Sequence, residues 1–188
     1  MAVRIGARPD HGFDEPLGLL SDCHRRIEHF LAVLQKVREQ AGGGPLGDEQ
    51  RRAVDAALEY FRSAAPRHTA DEEESLFPLL RASGREDVRA ALETVKALEA
   101  DHRTADRAHA DVERLFVRWV GEGSLAGQDL DVLSDALAGL RELYARHIAV
   151  EDRELFPLAG RVLNAEQLAR LGAEMAGRRG LAPPAPGR

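Results

Sequence analysis

A histidine followed four residues later by a glutamate occurs twice in this chain, within two closely similar segments. The segments HTADEEESLFPL (68–79) and HIAVEDRELFPL (147–158) align without gaps at an offset of 79 residues. The two pairs are His68 with Glu72 and His147 with Glu151. At this spacing both side chains lie on one face of a helix, about 6 Å apart at the backbone. An imidazole can then bind one metal ion while the carboxylate reaches between two.

A second pair of histidines is related by nearly the same offset. LSDCHRRIE (20–28) aligns with LEADHRTAD (98–106), so His24 and His102 are equivalent. Each of them interrupts an apolar helical stripe. The chain therefore has the pattern of one helical hairpin, duplicated. A pseudo-two-fold pairing of the hairpins would assemble four histidines and two carboxylates around one centre, namely His24, His68, Glu72, His102, His147 and Glu151.

Two carboxylates directed into one core need a compensating charge, because an unpaired buried carboxylate costs several kcal/mol. A pair of metal ions supplies that charge. Cys23 is the single cysteine, which excludes a cysteine-based zinc cluster within one chain. Any metal must therefore be held by nitrogen and oxygen. Iron fits this mixed ligand set, and zinc or manganese stays open on residue types alone.

The elements that must position these residues are helices. Four long segments rich in Ala, Leu, Glu and Arg, with few β-branched residues, alternate with glycine-containing loops. They cover residues 16–41, 48–82, 85–120 and 125–162, with a bend predicted at Pro66. This pattern predicts an all-α, up-down-up-down four-helix bundle. A short fifth helix is predicted from Ala165, with Asn164 as its cap.

The predicted organisation is a flexible N-terminus (1–11), a bundle (12–162), a short C-terminal helix (163–180) and a disordered tail (181–188). The net charge of −6 argues against nucleic-acid binding, which needs a basic patch. No apolar run approaches the ~20 residues that span a bilayer, so no membrane association is expected. The first ten residues lack a signal-peptide core, so we expect a cytoplasmic protein.

With its doubled His-x3-Glu-x4-Phe-Pro motif, the chain resembles the hemerythrin-like, or HHE cation-binding, family of non-haem di-iron four-helix bundles. The resemblance covers roughly residues 12–162. It implies two iron ions, with His24 and His68 on one, His102 and His147 on the other, and Glu72 and Glu151 bridging them. The ferritin-like di-iron proteins are a poorer match, because their motif is Glu-x2-His with the carboxylate first.

The chain departs from this family at one position. The oxygen-carrying hemerythrins have a second histidine four residues after the ligand of their third helix, where this chain has Asp106. The departure counts against reversible oxygen carriage.

Three further residues have alternative interpretations. Glu28 and Asp106 each follow a histidine by four residues, so each is either an extra ligand or a surface carboxylate. Tyr144, one turn before His147, is either a core residue or a hydrogen-bond partner or redox-active phenol near the metals. His109 lies too far from His102 to share its metal and is expected to be structural. Beyond Glu72, the acidic run at 72–74 is expected to face solvent.

Three classes of function remain open at this stage. The leading one is a di-iron protein that reacts with or senses dioxygen, peroxide or nitric oxide, either as an oxidoreductase or as a sensor. The second is iron binding or storage without turnover, and the third is a helical interaction module that the metal stabilises. A homodimer is also considered, because the long third helix leaves Phe116 and Trp119 for the fifth helix or a second subunit to cover.

Overall fold

The computed structural model describes residues 10–183, and all regular structure within them is helical. The helices are α1 (Pro16–Ala41), α2 (Asp48–Asp71), α3 (Phe77–Ala82), α4 (Glu86–Glu122), α5 (Gln128–Val150), α6 (Phe156–Val162) and α7 (Ala165–Arg178). Two π-helical turns, Glu72–Leu76 and Glu151–Leu155, join α2 to α3 and α5 to α6 without a break. The predicted all-α class is confirmed, and α2 continues through Pro66 as one helix.

Four helical rods form the bundle: α1, α2 with α3, α4, and α5 with α6. Rods that follow one another in sequence pack together, and contacts of α1 with α5 close the ring. The buried stripes form two apolar clusters, one containing Leu34 and Leu115, the other Leu20 and Leu80. The polar residues of the repeated motifs belong to neither cluster, and they occupy the layer between them.

A π-helical turn begins at each of the two glutamates of the repeated motif. In each turn a backbone N–H reaches five residues back: Phe77 donates to the Glu72 carbonyl, and Phe156 donates to the Glu151 carbonyl. The proline after each phenylalanine explains the change, because it has no N–H to donate and its ring crowds the carbonyl four residues earlier. Such turns are frequent at functional sites.

The end of the bundle around Trp119 is covered by the interhelical loops. Phe116 and Trp119 are fully buried, and the Trp119 indole N–H donates to the Gly44 carbonyl at 2.8 Å. The two loops meet where the Leu125 N–H donates to the Gly43 carbonyl at 2.8 Å. Gly43 has a φ of 85°, and a Cβ there would lie 2.1 Å from the Leu125 carbonyl oxygen. The expectation that α7 or a second subunit covers these aromatic residues is therefore wrong.

The C-terminal helix α7 packs at the opposite end of the bundle. The Asn164 side chain accepts from the Gln167 N–H, and the Gln167 side chain accepts from the Asn164 N–H, both at 2.9 Å. This reciprocal pair is the predicted cap, strengthened into a capping box. Leu171 and Met175, both fully buried, join the apolar cluster that contains Leu20.

Parts of the predicted flexible ends, residues 1–9 of 1–11 and residues 184–188 of 181–188, lie outside the described residues. The described part of the N-terminal segment is anchored on α1, because the His11 N–H donates to the Asp22 carboxylate at 2.8 Å. Within residues 10–183, no helix combines the length and the apolar character that a bilayer span requires.

Candidate metal centre

Six buried polar side chains meet in the layer between the two apolar clusters. They are His24 from α1, His68 from α2, Glu72 from the first π turn, His102 from α4, His147 from α5 and Glu151 from the second π turn. Their exposed fractions lie between 0% and 6%. The bundle thus brings together every residue that the sequence analysis proposes as a principal ligand.

The six residues form two overlapping groups of four. His24 and His68 form the first group with both glutamates, and His102 and His147 form the second group with the same two glutamates. Within each group, one ligand atom from each residue lies within 4.8 Å of all the others. Because both carboxylates belong to both groups, the arrangement suits two ions that share two carboxylate bridges.

In the first group, the imidazole nitrogens face the carboxylate oxygens at short range. His24 Nε2 lies 3.1 Å from Glu151 Oε2 and 3.8 Å from Glu72 Oε1, and His68 Nε2 lies 3.4 Å from Glu72 Oε1. Two atoms that are each about 2.1 Å from one ion, at a right angle, lie about 3 Å apart. The separations in this group are of that size.

The second group is equally compact. His102 Nε2 lies 3.1 Å from His147 Nε2 and 3.3 Å from Glu72 Oε2, while His147 Nε2 lies 3.1 Å from Glu151 Oε2. Two imidazole nitrogens that point at each other across 3.1 Å are typical of ligands that converge on a common ion.

The hydrogen bonding of the two central carboxylates indicates whether a metal ion fits this centre. Both oxygens of Glu72 and both oxygens of Glu151 are buried with no hydrogen-bond partner among the described residues, and His24 Nε2 is likewise unpartnered. Leaving such groups unpaired in a core is costly, and positive ions bound between them would remove the cost. Neutral imidazoles and carboxylates are a donor set for divalent transition metals. The residues therefore fit a pair of cations.

The ionisation of the side chains follows from their burial and from one another. Burial opposes protonation of His24, but neighbouring carboxylates, that of Asp152 first, hold its pKa well above the ordinary value. Burial likewise opposes protonation of His102, but the carboxylates of Glu72, Glu73 and Glu151 together raise its pKa to about 9. Burial lowers the pKa of His68 to about 4. Burial also works against ionisation of Glu72, but the imidazoles, led by His68, hold its pKa well below the usual range.

Two outer carboxylates orient the histidines of the first helix of each hairpin. His24 Nδ1–H donates to Asp152 at 3.0 Å, and His102 Nδ1–H donates to Glu73 at 2.8 Å. Each carboxylate comes from the opposite hairpin, and each bond directs Nε2 into the centre. The sequence pattern does not single out Asp152, and it predicts that Glu73 faces solvent. The signal was available, because an acidic residue directly follows the core glutamate in both copies of the motif.

A phenyl ring from the opposite hairpin stacks on each of these two imidazoles. Phe156 stacks on His24 with ring centroids 5.4 Å apart, and Phe77 stacks on His102 at 6.4 Å. The repeated Phe-Pro dipeptide therefore does more than shape the helix beneath the site. It also fixes the planes of two candidate ligands.

The weaker ligand candidates lie outside both groups. Glu28 and Asp106 are exposed, as expected for surface carboxylates, and neither joins the buried donors. Tyr144 is buried, and its hydroxyl lies 3.1 Å from His109 Nε2. Its ring centroid is 6.3 Å from that of His147. Tyr144 is therefore a core residue bonded to His109, one turn away from the centre.

His68 and His147, the histidines of the second helix of each hairpin, differ in what faces their Nδ1 atoms, which point away from the centre. Asp101 Oδ2 lies 3.6 Å from His147 Nδ1, which is too long for a hydrogen bond but close enough for charge attraction. His68 Nδ1 has no hydrogen-bond partner among the described residues. Cys23 occupies the repeat position equivalent to Asp101. The duplicated ligands thus have unequal surroundings.

Comparisons with known proteins agree with this geometry. Residues 15–159 match the family described as the hemerythrin HHE cation binding domain. A relative from Haemophilus influenzae, described as an uncharacterized protein, is 29% identical over 172 residues, which cover 89% of this chain and 91% of the relative. The family match spans all six buried donors, and its description concerns cation binding.

Proposed function

Because this chain belongs to the hemerythrin HHE cation-binding domain family, we propose that it holds two iron ions and uses them to react with or sense dioxygen, hydrogen peroxide or nitric oxide. The observation that carries the proposal is the sharing of Glu72 and Glu151 by both donor groups. Two carboxylates common to two pairs of histidines suit a dinuclear centre better than one crowded ion.

When bound, iron supplies redox chemistry and exchangeable coordination positions. The residues of this chain hold the ions, with His24 and His68 in one group and His102 and His147 in the other. Asp152 and Glu73 keep two of the imidazoles in the required tautomer. The apolar clusters on both sides exclude bulk water from the layer.

We favour a reactive or sensing role over oxygen carriage or storage. Each donor group offers only four residues, which leaves positions for a small exogenous molecule. Asp106 replaces the extra histidine of the oxygen carriers and is exposed. The unpaired, buried Cys23 suits a reducing compartment, which supports a cytoplasmic location.

The decisive experiment is metal analysis of protein purified from iron-supplemented cells, followed by optical and Mössbauer spectroscopy. We expect about two iron ions per chain. The reduced protein should oxidise in air and not release dioxygen on degassing, and it should change its spectrum with peroxide or nitric oxide. A well-occupied preparation with one metal per chain would contradict the dinuclear centre. Release of intact dioxygen on degassing would contradict the reactive role.

The alternatives give different results in the same samples. Iron storage predicts many more than two ions per chain and no turnover of peroxide. A metal-stabilised interaction module predicts a large fall in the thermal midpoint on chelation, with no spectral response to peroxide or nitric oxide.

A further inference from the structure

Two grooves on the bundle surface are related by the internal repeat. One, between α1 and α5, is lined by Glu28, Leu31, Ala32, Arg141 and Tyr144. The other, between α2 and α4, is lined at the equivalent positions by Asp106, His109, Ala110, Arg62 and Ala65. We refer to them as the α1–α5 groove and the α2–α4 pocket. The pocket has a volume of about 230 Å³.

The inner walls of the two grooves differ at two pairs of equivalent positions. Tyr144 stands where the first hairpin has Ala65, and His109 stands where it has Leu31. Because Ala65 is small, Tyr144 reaches across the bundle and also lines the α2–α4 pocket, where its hydroxyl meets His109 Nε2 at 3.1 Å. The inner wall of the α2–α4 pocket therefore contains the Tyr144–His109 hydrogen bond, whereas the hydrogen bond between lining residues of the α1–α5 groove, from Arg141 to Gln35, is exposed.

The α2–α4 pocket lies next to the metal centre along the bundle axis. Among its lining residues, Thr69 directly follows His68, and Tyr144 is one helical turn before His147. The Tyr144 and His147 ring centroids are 6.3 Å apart. The Tyr144 ring therefore connects the lining of this pocket to His147 of the metal centre.

The charges around the pocket favour a neutral occupant. Burial lowers the pKa of His109 to about 4, so the pair in the inner wall is uncharged near neutral pH. At the mouth, Arg62 Nε donates to Glu113 at 2.6 Å and is neutralised by it. The exposed Asp106 carboxylate then leaves the rim negative. A volume of about 230 Å³ holds several water-sized molecules but is below the usual size of a metabolite pocket.

From this geometry we infer that the α2–α4 pocket, and not the α1–α5 groove, admits small neutral hydrogen-bonding molecules such as hydrogen peroxide to the metal centre, with Tyr144 and His109 as its inner wall. The inference deepens the proposed function and rests on it for the identity of the reacting molecule. The Tyr144 oxygen can accept a hydrogen bond from such a molecule while its proton stays on the bond to His109.

The repeat provides a matched pair of variants. Ala110 lines the α2–α4 pocket, Ala32 lines the α1–α5 groove at the equivalent position, and both are exposed. Ala110→Phe should slow the spectral change of the iron-loaded protein with peroxide by about tenfold, because the added ring obstructs the pocket. Ala32→Phe should leave the rate unchanged. Iron content and thermal midpoint are measured for both, and Ala110→Leu replaces Ala110→Phe if the latter folds poorly.

A second readout does not depend on iron. Metal-free protein is titrated with methanol, a small neutral donor and acceptor, and with formate, an anion of similar size, while NMR shifts of backbone amides are followed. Methanol should perturb Ala110 and His109 but not Ala32, formate should leave all three unchanged, and Ala110→Phe should abolish the response.

The two experiments separate the inference from the proposed function. If the protein holds no iron or ignores peroxide, the proposed function fails, and the titration still tests the pocket. Equal slowing by Ala110→Phe and Ala32→Phe, slowing by neither, or methanol shifts centred on Ala32 would overturn the assignment of the pocket.

Discussion

The first hairpin, from α1 to α3, and the second, from α4 to α6, present the same ligand types to the centre, but their surroundings differ. His24 and His102 are each held by a carboxylate and a phenyl ring from the other hairpin. By contrast, among the described residues a carboxylate, Asp101, faces Nδ1 of the second-helix histidine in the second hairpin, whereas Nδ1 of His68 in the first has no partner. The main helix contacts of α7 are with α1 and α2 of the first hairpin. Duplication has thus kept the groups that a metal pair requires, while the supporting residues have diverged.

The contact with α7 is the largest of these differences. Asp71, next to Glu72, is fully buried, and it accepts hydrogen bonds from Arg178 at 3.0 Å and from Arg179 at 2.7 Å. At the equivalent position the second hairpin has Val150, which cannot accept such bonds. The half of the centre that contains Glu72 is therefore joined to the C-terminal segment by these buried ion pairs, and the half that contains Glu151 has no equivalent pair at Val150.

The largest effect on metal content is expected at Glu72 and Glu151, the equivalent glutamates that both hairpins supply. Glu72→Ala and Glu151→Ala should each remove most of the bound metal, because each carboxylate serves both donor groups. Metal content after dialysis is the measurement. Glu154→Ala, an exposed glutamate in the second π turn, is the control and should retain metal. A large asymmetry between the two core variants would show that only one glutamate is shared.

The next largest effect is expected at the contact with α7. Asp71→Ala should lower the free energy of unfolding by about 2 kcal/mol, because it leaves Arg178 and Arg179 without their buried acceptor. Hydrogen exchange should increase in α7 and stay unchanged in α5. Glu74→Ala removes only the exposed partner of Arg178 and should have little effect. Unchanged exchange in α7 would show that apolar packing alone holds this helix.

One of the two differences between the inner walls of the grooves is removed by His109→Leu, which copies Leu31 of the first hairpin. Burial lowers the pKa of His109 from 6.5 to about 4, so between these values the unfolded chain binds a proton that the folded protein does not bind. Stability therefore falls as the pH falls through this window, by about 1–2 kcal/mol after allowance for partial exposure. His109→Leu should remove this part of the acid sensitivity.

The measurement is urea denaturation of the metal-free protein at several pH values. His29→Leu, which replaces an exposed histidine, is the control and should keep the wild-type slope. An equal slope in all three proteins would show that His109 titrates normally in the folded state.

Asp152 and Glu73, the carboxylates that orient His24 and His102, should each contribute moderately and equally to metal affinity. Asp152→Ala and Glu73→Ala are each expected to weaken metal binding by about tenfold, since each removes one hydrogen bond to an imidazole. Competition with a chromophoric chelator measures the affinity. Arg153→Ala, next to Asp152 but exposed, serves as the reference. A difference of much more than tenfold between the two variants would break the equivalence of the hairpins.

The smallest effect is expected where the hairpins diverge beside the second-helix histidines. Asp101→Ala should weaken metal binding by only about fivefold, because its oxygen lies 3.6 Å from His147 Nδ1 and forms no hydrogen bond. Cys23→Ala should leave the affinity unchanged. If Cys23→Ala weakens binding as much as Asp101→Ala, the thiol supports His68 and the asymmetry disappears.

The helices and the six buried donors could be predicted from sequence because both depend on local spacing. Residues four apart share a helical face whatever the helix packs against. The duplication then related His24 to His102 and Glu72 to Glu151 without knowledge of the fold. The cap of α7 at Asn164 was equally local, since its bonds join residues three apart.

The sequence by itself therefore determined the bundle, the ligand types and their grouping by helix. Only the tertiary structure decided which residues support them: the placement of Asp152 beside His24, the reach of Tyr144 to His109, and the packing of α7 against the first hairpin. These contacts join residues far apart in the chain, and they depend on the rotation and level of each rod in the bundle. Each π turn also changes which residues share a helical face after the core glutamate, and the periodicity of an α-helix does not predict this change.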